Sequence, residues 1–478
     1  MKHKHRIKKA IAGVCVCAVI GINALPAVQQ FSALSPFTVT ASALEETSSY
    51  TLDPVTGELK LRGRVKKSEI SALKLKPTLK IIKITCAPGT VLPPDCSYLF
   101  SGFKDVVSID LSVANSSNVT NMEKMFIDCS NLTNLNLTNF DTRQCTNMYA
   151  MFSRCYNLPE LNLTFFHTSK VKNMGYMFQF CWNLASIRLN KFFDTSACEN
   201  MEAMFDGCKK LKALDVSKFD VTKAKDMSHM FYDCESLTSL NLSKFNTRSC
   251  TDMTWMFWGC ENLTALDVSA FNTDKVTNMS YMFNYCKKIE YLELGNFNTE
   301  NVQFMEHMFQ GCEALSFLNF YYWNTDKVTN MQAMFMDCKS LPDFNAGSFS
   351  STANVTDMSY MFYGCENLTA LYLNTMNTAK VTDMSNMFED CFKLTSLNLR
   401  SFNTANVTNM QDMFFRCNHL KTIYASSKFN TANVRNSNNM FAFNVPLTGG
   451  RGTKYSSSHA DKTYARIDKA GQPGYFTA

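Results

Sequence analysis

The sequence predicts a capped solenoid, a rod of short coils in which each coil buries its apolar side against the next. Three observations predict it. The pair Met-Phe begins at 125, 151, 177, 204, 230, 256, 282, 308, 334, 361, 387, 413 and 440, a period of 26 residues stretched to 27 at three places. A second Met stands three residues ahead of each pair from Met122 to Met410, with Ser437 in the last copy, so two columns hold 25 of the 28 methionines. Hydrophobic residues make up 46% of the chain and charged ones 18%, which provides for a large core and excludes a disordered chain. A fixed period of this length is the signature of stacked repeats.

The N-terminal segment precedes the repeats. Lys2, Lys4, Arg6, Lys8 and Lys9 lead an apolar run to about Leu25, and Ala41-Ser42-Ala43 supplies small residues for cleavage, so residues 1–43 read as a secretory signal peptide. Its removal takes five of the 47 basic residues and leaves 42 against 41 acidic ones, a balance that lends nothing to nucleic-acid binding. From position 44 onward no 18 consecutive residues are apolar, so no membrane span is expected. Residues 44–90 form an N-terminal cap, with Thr56-Gly57 as a turn between strand-like runs. A degenerate coil around Asp95, Cys96, Leu99 and Phe100 then opens a solenoid over residues 91–445.

One period reads F-N-T-x-x-V-T-N-M-x-x-M-F-x-x-C-x-x-L-x-x-L-x-L, nearly complete from Phe271 to Leu294. Met279, Met282, Phe283 and Cys286 stand at i, i+3, i+4 and i+7, which predicts a helix of about two turns with one apolar face. Asn278 is its expected N-cap, and that column holds Asn or Asp in every copy except Phe304. Ile289, Leu292 and Leu294 form L-x-x-L-x-L, whose last three residues alternate as a short strand with Glu293 pointing the other way. A lone copy buries too little apolar surface to offset the entropy of ordering its backbone. Stacking is the remedy, and thirteen coils about 4.8 Å apart make a rod of about 60 Å. Pro446 ends the pattern, and Gly449-Gly450-Arg451-Gly452 followed by Tyr464 to Phe476 reads as a capping hairpin within residues 446–478.

The string C-x-x-L-x-x-L-x-L followed by F-N-T-x-x-V-T-N-M-x-x-M-F resembles the BspA-like family of bacterial leucine-rich-repeat surface proteins, in its Met-Phe-rich branch, from about Val91 onward. The resemblance implies a right-handed, leucine-rich-repeat-like solenoid with one short β-strand plus one short helix per 26-residue coil, capped at both ends. It also implies display outside the cell, adhesion or protein–protein contact, and no catalytic activity. Family members often carry a wall-sorting signal or wall-binding modules, and neither is legible before Tyr475-Phe476-Thr477-Ala478.

Twelve cysteines from Cys129 to Cys417 share one column, and the thirteenth copy has Asn444 there. Cys145, Cys198 and Cys250 replace the Val of V-T-N-M, an apolar slot. Both facts favour buried free thiols over the disulfides that an even count in a secreted chain would suggest. Cys86 is the one cysteine outside the repeat after the leader, and a bridge to Cys96 stays open. No cysteine column has His at ligand spacing, so no metal and no cofactor is expected. His167, His229, His307, His419 and His459 fall at variable positions and read as solvated. No Ser/His/Asp set, paired carboxylates or phosphate loop emerges, so the chain is read as not an enzyme.

The variable outward strand positions are the candidates for recognition. They include Arg188, Glu293, Tyr372 and Tyr424, with Tyr291 and Phe317 two residues ahead in the same alternation, and exposed aromatics among polar residues suit a partner surface. Trp255 with Trp258, and Tyr321 with Tyr322 beside Trp323, are further aromatic groupings, although Trp323 fills the Phe column and reads as core. In the N-terminal cap, Lys60, Arg62, Arg64, Lys66 and Lys67 belong to a basic run suited to an anionic cell-wall polymer. The expected function is a secreted or cell-surface binding protein, an adhesin or interaction scaffold that meets an extracellular protein or glycoprotein through its strand face. A structural spacer without a specific ligand is the alternative.

Overall fold

The computed structural model describes residues 45–478 apart from Pro77; the expected leader lies outside the described residues. β1 (Glu45–Glu46), β2 (Tyr50–Asp53) and β3 (Glu58–Leu61) form an antiparallel meander. Its second turn is held by Asp53, whose carboxylate accepts from the Val55 N–H at 2.8 Å and the Thr56 hydroxyl at 2.7 Å. α1 (Lys67–Leu73) follows, then β4 (Lys83–Cys86), β5 (Ser108–Asp110) and β6 (Asn134–Asn136) join β3 in parallel. From here the chain is a stack of coils. β7 (Glu160–Asn162) pairs with β8 (Ser186–Arg188), β9 (Tyr291–Glu293) with β10 (Phe317–Asn319), β11 (Asp343–Asn345) with β12 (Ala370–Tyr372), and β13 (Ser396–Leu399) with β14 (Thr422–Ala425), all parallel and in register. Leu292 and Leu294 face the core while Tyr291 and Glu293 face out, as the alternation requires.

The core is the sum of the repeat columns. Met279, Met282, Phe283, Cys286 and Ile289 are fully buried, and so are their counterparts along the stack. Phe rings of successive coils lie nearly parallel, as in Phe126–Phe152 at 5.6 Å and 1° and Phe283–Phe309 at 5.7 Å and 3°. Each ring therefore buries both faces against copies of itself, which a single coil cannot arrange.

The predicted helix is absent from the coils, where a ladder of turns stands in its place. The N–H groups of Met279, Tyr281, Phe283 and Tyr285 donate to Phe304, Glu306, Met308 and Gln310 of the next coil at 2.7–3.1 Å. Those of Met282, Asn284 and Cys286 close four-residue turns onto Met279, Tyr281 and Phe283. A helix would turn its N–H groups beyond the first turn inward; here the stacked neighbour offers carbonyls, and the chain turns every second donor toward them. The geometry requires left-handed residues, Tyr281 at φ 59° and Tyr285 at φ 55°. The apolar spacing is served equally well, because four-residue turns also bring i, i+3, i+4 and i+7 inward. Asn278 does supply a side-chain oxygen, accepting from the Ser280 N–H at 2.9 Å, and its backbone bridges Asp252 on one side and Phe304 on the other.

Side chains bind the coils together as well. The Thr of F-N-T is buried and donates across the stack, as Thr273 does to the Asn298 carbonyl at 2.9 Å. The Cys286 thiol donates to the Phe257 carbonyl at 3.2 Å, and in the last copy the Asn444 amide reaches the Phe414 carbonyl at 2.7 Å. Cys and Asn thus do the same work in this column. All 17 described cysteines are free thiols, Cys86 and Cys96 included.

The strand ladder is interrupted, and two of its breaks have a covalent cause. In paired coils the residue ahead of the strand donates backward, as Ser316 does to the Glu290 carbonyl at 3.0 Å and Thr369 to the Pro342 carbonyl at 2.9 Å. Pro159 and Pro342 occupy this position and have no N–H to give. β7 accordingly does not pair with β6, nor β11 with β10.

At the C-terminus, the segment expected as a capping hairpin holds two tight antiparallel turns, Thr448 bridged to Lys454 and Lys469 to Gln472, and no long hairpin among the described residues. Two short 3₁₀ turns lead instead to β15 (Phe476–Thr477), which adds in parallel to β14. Phe441 explains the choice: it is the last of the stacked rings, and Tyr475 and Phe476 cover it at 5.2 and 6.0 Å. The same segment pairs the open edge of β14.

Candidate functional site

The outward positions of the strands make a single face with two columns. The first runs through Tyr291, Phe317, Asp343 and Ala370, the second through Glu293, Asn319, Asn345 and Tyr372. Tyr291 and Phe317 are 51% and 47% exposed, with rings stacked at 4.8 Å and 9°. The Tyr291 hydroxyl donates to the Glu293 carboxylate at 2.6 Å, which fixes that ring. Tyr321 and Tyr322 stand nearby at the end of the same coil, and Tyr322 is 96% exposed at φ 66°. Trp323, by contrast, is fully buried and donates from Nε1 to the Leu294 carbonyl at 3.2 Å.

The other expected residues are not gathered there. Tyr372 is exposed on β12 in register with Asn345, beyond the break. Tyr424 is half-buried, with the Arg400 guanidinium 4.7 Å from its ring centre. Arg188 lies toward the other end of the solenoid, 3.7 Å from Glu160, and lines a separate cleft of about 490 Å³ with Lys218 and Phe219. In the N-terminal cap, Arg62 pairs with Glu46, Lys66 with Glu69 at 3.0 Å and Lys67 with Asp95 at 2.8 Å. Lys60 and Arg64 enter no ion pair among the described residues.

Between β10 and β11 the break opens a second cleft of about 270 Å³, walled by Phe317, Asn319, Tyr321, Pro342, Asp343 and Asn345. Asn319 and Asn345 use their side-chain oxygens locally, accepting from the N–H groups of Tyr321 at 3.2 Å and Gly347 at 2.9 Å.

Along the turn edge of the coils runs a stack of which the sequence reading picked out only the grouping of Trp255 with Trp258. His229, Trp255, Tyr281 and His307 stack through four successive coils at 6.0, 3.9 and 4.5 Å, and Tyr232 stacks on Trp258 at 4.4 Å. The signal was available as His, Trp and Tyr recurring one place ahead of the Met-Phe pair, at His229, Trp255, Tyr281 and His307. The reading of the histidines as solvated is corrected with it: His167 stacks on Phe192 at 4.4 Å, His459 on Tyr464 at 4.1 Å, and only His419 is exposed. Flat imidazoles continue the aromatic stacks wherever the column supplies them. Burial holds His229 below its ordinary value.

Burial pushes the column thiols up, Cys286 well above its usual range and Cys312 to about 12, so they are protonated and poor nucleophiles. Burial also pushes the Asp206 carboxyl up to about 6, where it accepts from Gln179 at 2.9 Å. Among the described residues no group of three or more His, Cys, Asp or Glu side chains is placed to hold a metal ion. No described helix is long and apolar enough to cross a membrane.

Fold and surface together define a parallel solenoid of leucine-rich-repeat type, built on the Met-Phe repeat. The family described as "Mycoplasma protein of unknown function, DUF285" matches residues 94–191, 162–264, 260–351 and 344–448, and the chain belongs to it. It is similar to a leucine-rich cell surface protein from Faecalibacterium prausnitzii, with 13% identity, coverage of 80% of this chain and 95% of that one, and a TM-score of 0.40. A leucine-rich repeat protein from Bacteroides ovatus has 16% identity, coverage of 87% and 94%, and a TM-score of 0.42. None of the curated proteins matches this chain.

Proposed function

We propose that the chain is a secreted or cell-surface binding protein without catalytic activity, an adhesin or interaction scaffold whose strand face meets an extracellular protein or glycoprotein. The observation that carries this reading is the exposed, stacked pair Tyr291–Phe317 with Tyr321 and Tyr322 beside it, next to the polar Glu293, Asn319, Asp343 and Asn345 of the same face. Rigid aromatic side chains in a polar setting are the residues that anchor partners. The test is a pull-down with residues 44–478 against immobilised matrix proteins, mucin and wall polymers. Saturable binding that falls at least about tenfold in the double variant Tyr291→Ala, Phe317→Ala is expected. Failure to bind any of these would favour a spacer without a specific ligand.

A second contact draws on the N-terminal cap. Lys60 and Arg64, exposed and outside the ion pairs, supply charge for an anionic wall polymer, and that attachment weakens as salt is raised.

A further inference from the structure

The ring stack on the strand face stops at Phe317. One face of this ring is covered by Tyr291, and the ring lines the cleft where β10 and β11 part. One coil further, the position that would hold the next ring holds Asp343, a short exposed carboxylate. Pro342 keeps the ladder from closing, so no backbone hydrogen bond joins Phe317–Asn319 to Asp343–Asn345 among the described residues. The side-chain amide nitrogens of Asn319 and Asn345 make no hydrogen bond within the described chain, because only their oxygens are used. The cleft thus sets an open aromatic face against one carboxylate acceptor and two amide donors.

That set matches one ligand chemistry. A pyranose ring has an apolar C–H face that stacks on an aromatic ring and a rim of hydroxyls that both donate and accept. An apolar peptide side chain would leave the carboxylate and the amides unanswered at a cost in desolvation. We propose that the cleft between β10 and β11 is a saccharide subsite, in which a neutral hexose lies on Phe317 with its hydroxyls shared between Asp343 and the amides of Asn319 and Asn345. This rests on the reading of the strand face as a binding surface and assigns its glycan-specific part.

The test uses the purified full chain with lactose, maltose, cellobiose and mannobiose, followed by saturation-transfer NMR and titration. At least one disaccharide is expected to bind, and Phe317→Ala and Asp343→Ala are each expected to weaken it about tenfold. Both side chains are exposed, so the variants should melt as the parent does, and the melting curve checks it. Binding of none of the four sugars, or binding unchanged in both variants, overturns the proposal. Capture of a deglycosylated matrix protein that is lost in the Tyr291→Ala, Phe317→Ala variant, with no sugar bound, overturns the subsite alone and leaves the docking face standing.

Discussion

At the residue scale, a thiol in this solenoid is a weak cross-coil donor sealed in apolar surroundings. The Cys286 and Cys312 side chains are fully buried and reach the Phe257 and Phe283 carbonyls at 3.2 and 3.1 Å. Since burial raises the folded pKa, the sign of the pH dependence follows. Below the unfolded thiol's value near about 8.5 both states are protonated and the stability is fully present. Above it the unfolded chain loses protons that the folded chain keeps, so stability falls until the folded value, about 12 for Cys312, is reached. Each thiol contributes up to about 1.4 kcal/mol per pH unit in that window, and twelve share the column. The urea midpoint is expected to hold from pH 7 to 8 and to drop steeply above about pH 9; a flat profile would contradict a column of protonated thiols. The residues of the outward strand face were legible at this scale, because the period of two places Tyr291 and Phe317 outward. The left-handed column was not, since Tyr281 and His307 carry no mark of positive φ in their side chains.

At the element scale, the short helix and the ladder of turns share one apolar pattern, and what separates them is where the N–H groups go. Only the neighbouring coil decides that, by offering Phe304, Glu306 and Met308 carbonyls at 3.0–3.1 Å. Some glycines record the same closeness: a Cβ on Gly311, at φ 71°, would meet the Tyr285 ring at 2.5 Å. The strand breaks have a sequence mark, proline at the donor position, whose consequence depends on knowing the register. Replacing Pro342 by Thr restores an N–H that can reach the Ser316 carbonyl. The new bond contributes about 1 kcal/mol, while loss of the proline's restriction on the unfolded chain costs roughly 0.4–1 kcal/mol. Global stability should therefore change little. The amides of Asp343 and Phe344 should exchange more slowly as the ladder closes, which hydrogen exchange measures; unchanged exchange would mean that proline is not what parts the strands.

At the scale of the whole molecule, every coil is stabilised by its neighbours, so the ends need cover. The C-terminal segment supplies it through Tyr475 and Phe476 over Phe441 and through β15 along β14. Removing residues 446–478 would bare both a stacked ring and an unpaired strand edge. The truncated chain is expected to associate, eluting early from size-exclusion columns, while keeping most of its strand signal by circular dichroism. A monomer as soluble as the parent would show that the cap is dispensable. The N-terminal meander plays the same part at the other end, which is also where most of the expected basic run is taken up, as Arg62, Lys66 and Lys67 hold Glu46, Glu69 and Asp95.

The period, the buried columns, the outward strand face and the interchange of Cys with Asn444 were determined by the sequence alone, because each depends on spacing and on which side chains shun water. The turn ladder, the stacked aromatic edge, the pairing of the basic cap and the cleft beside Phe317 were decided only by the tertiary structure. In the ladder and the aromatic edge the outcome depends on a partner one coil away, as with Met279 and Phe304 or Trp255 and Tyr281, brought to hydrogen-bonding or stacking distance by the coil itself. Local pattern specifies which groups must be satisfied, and stacking specifies by whom.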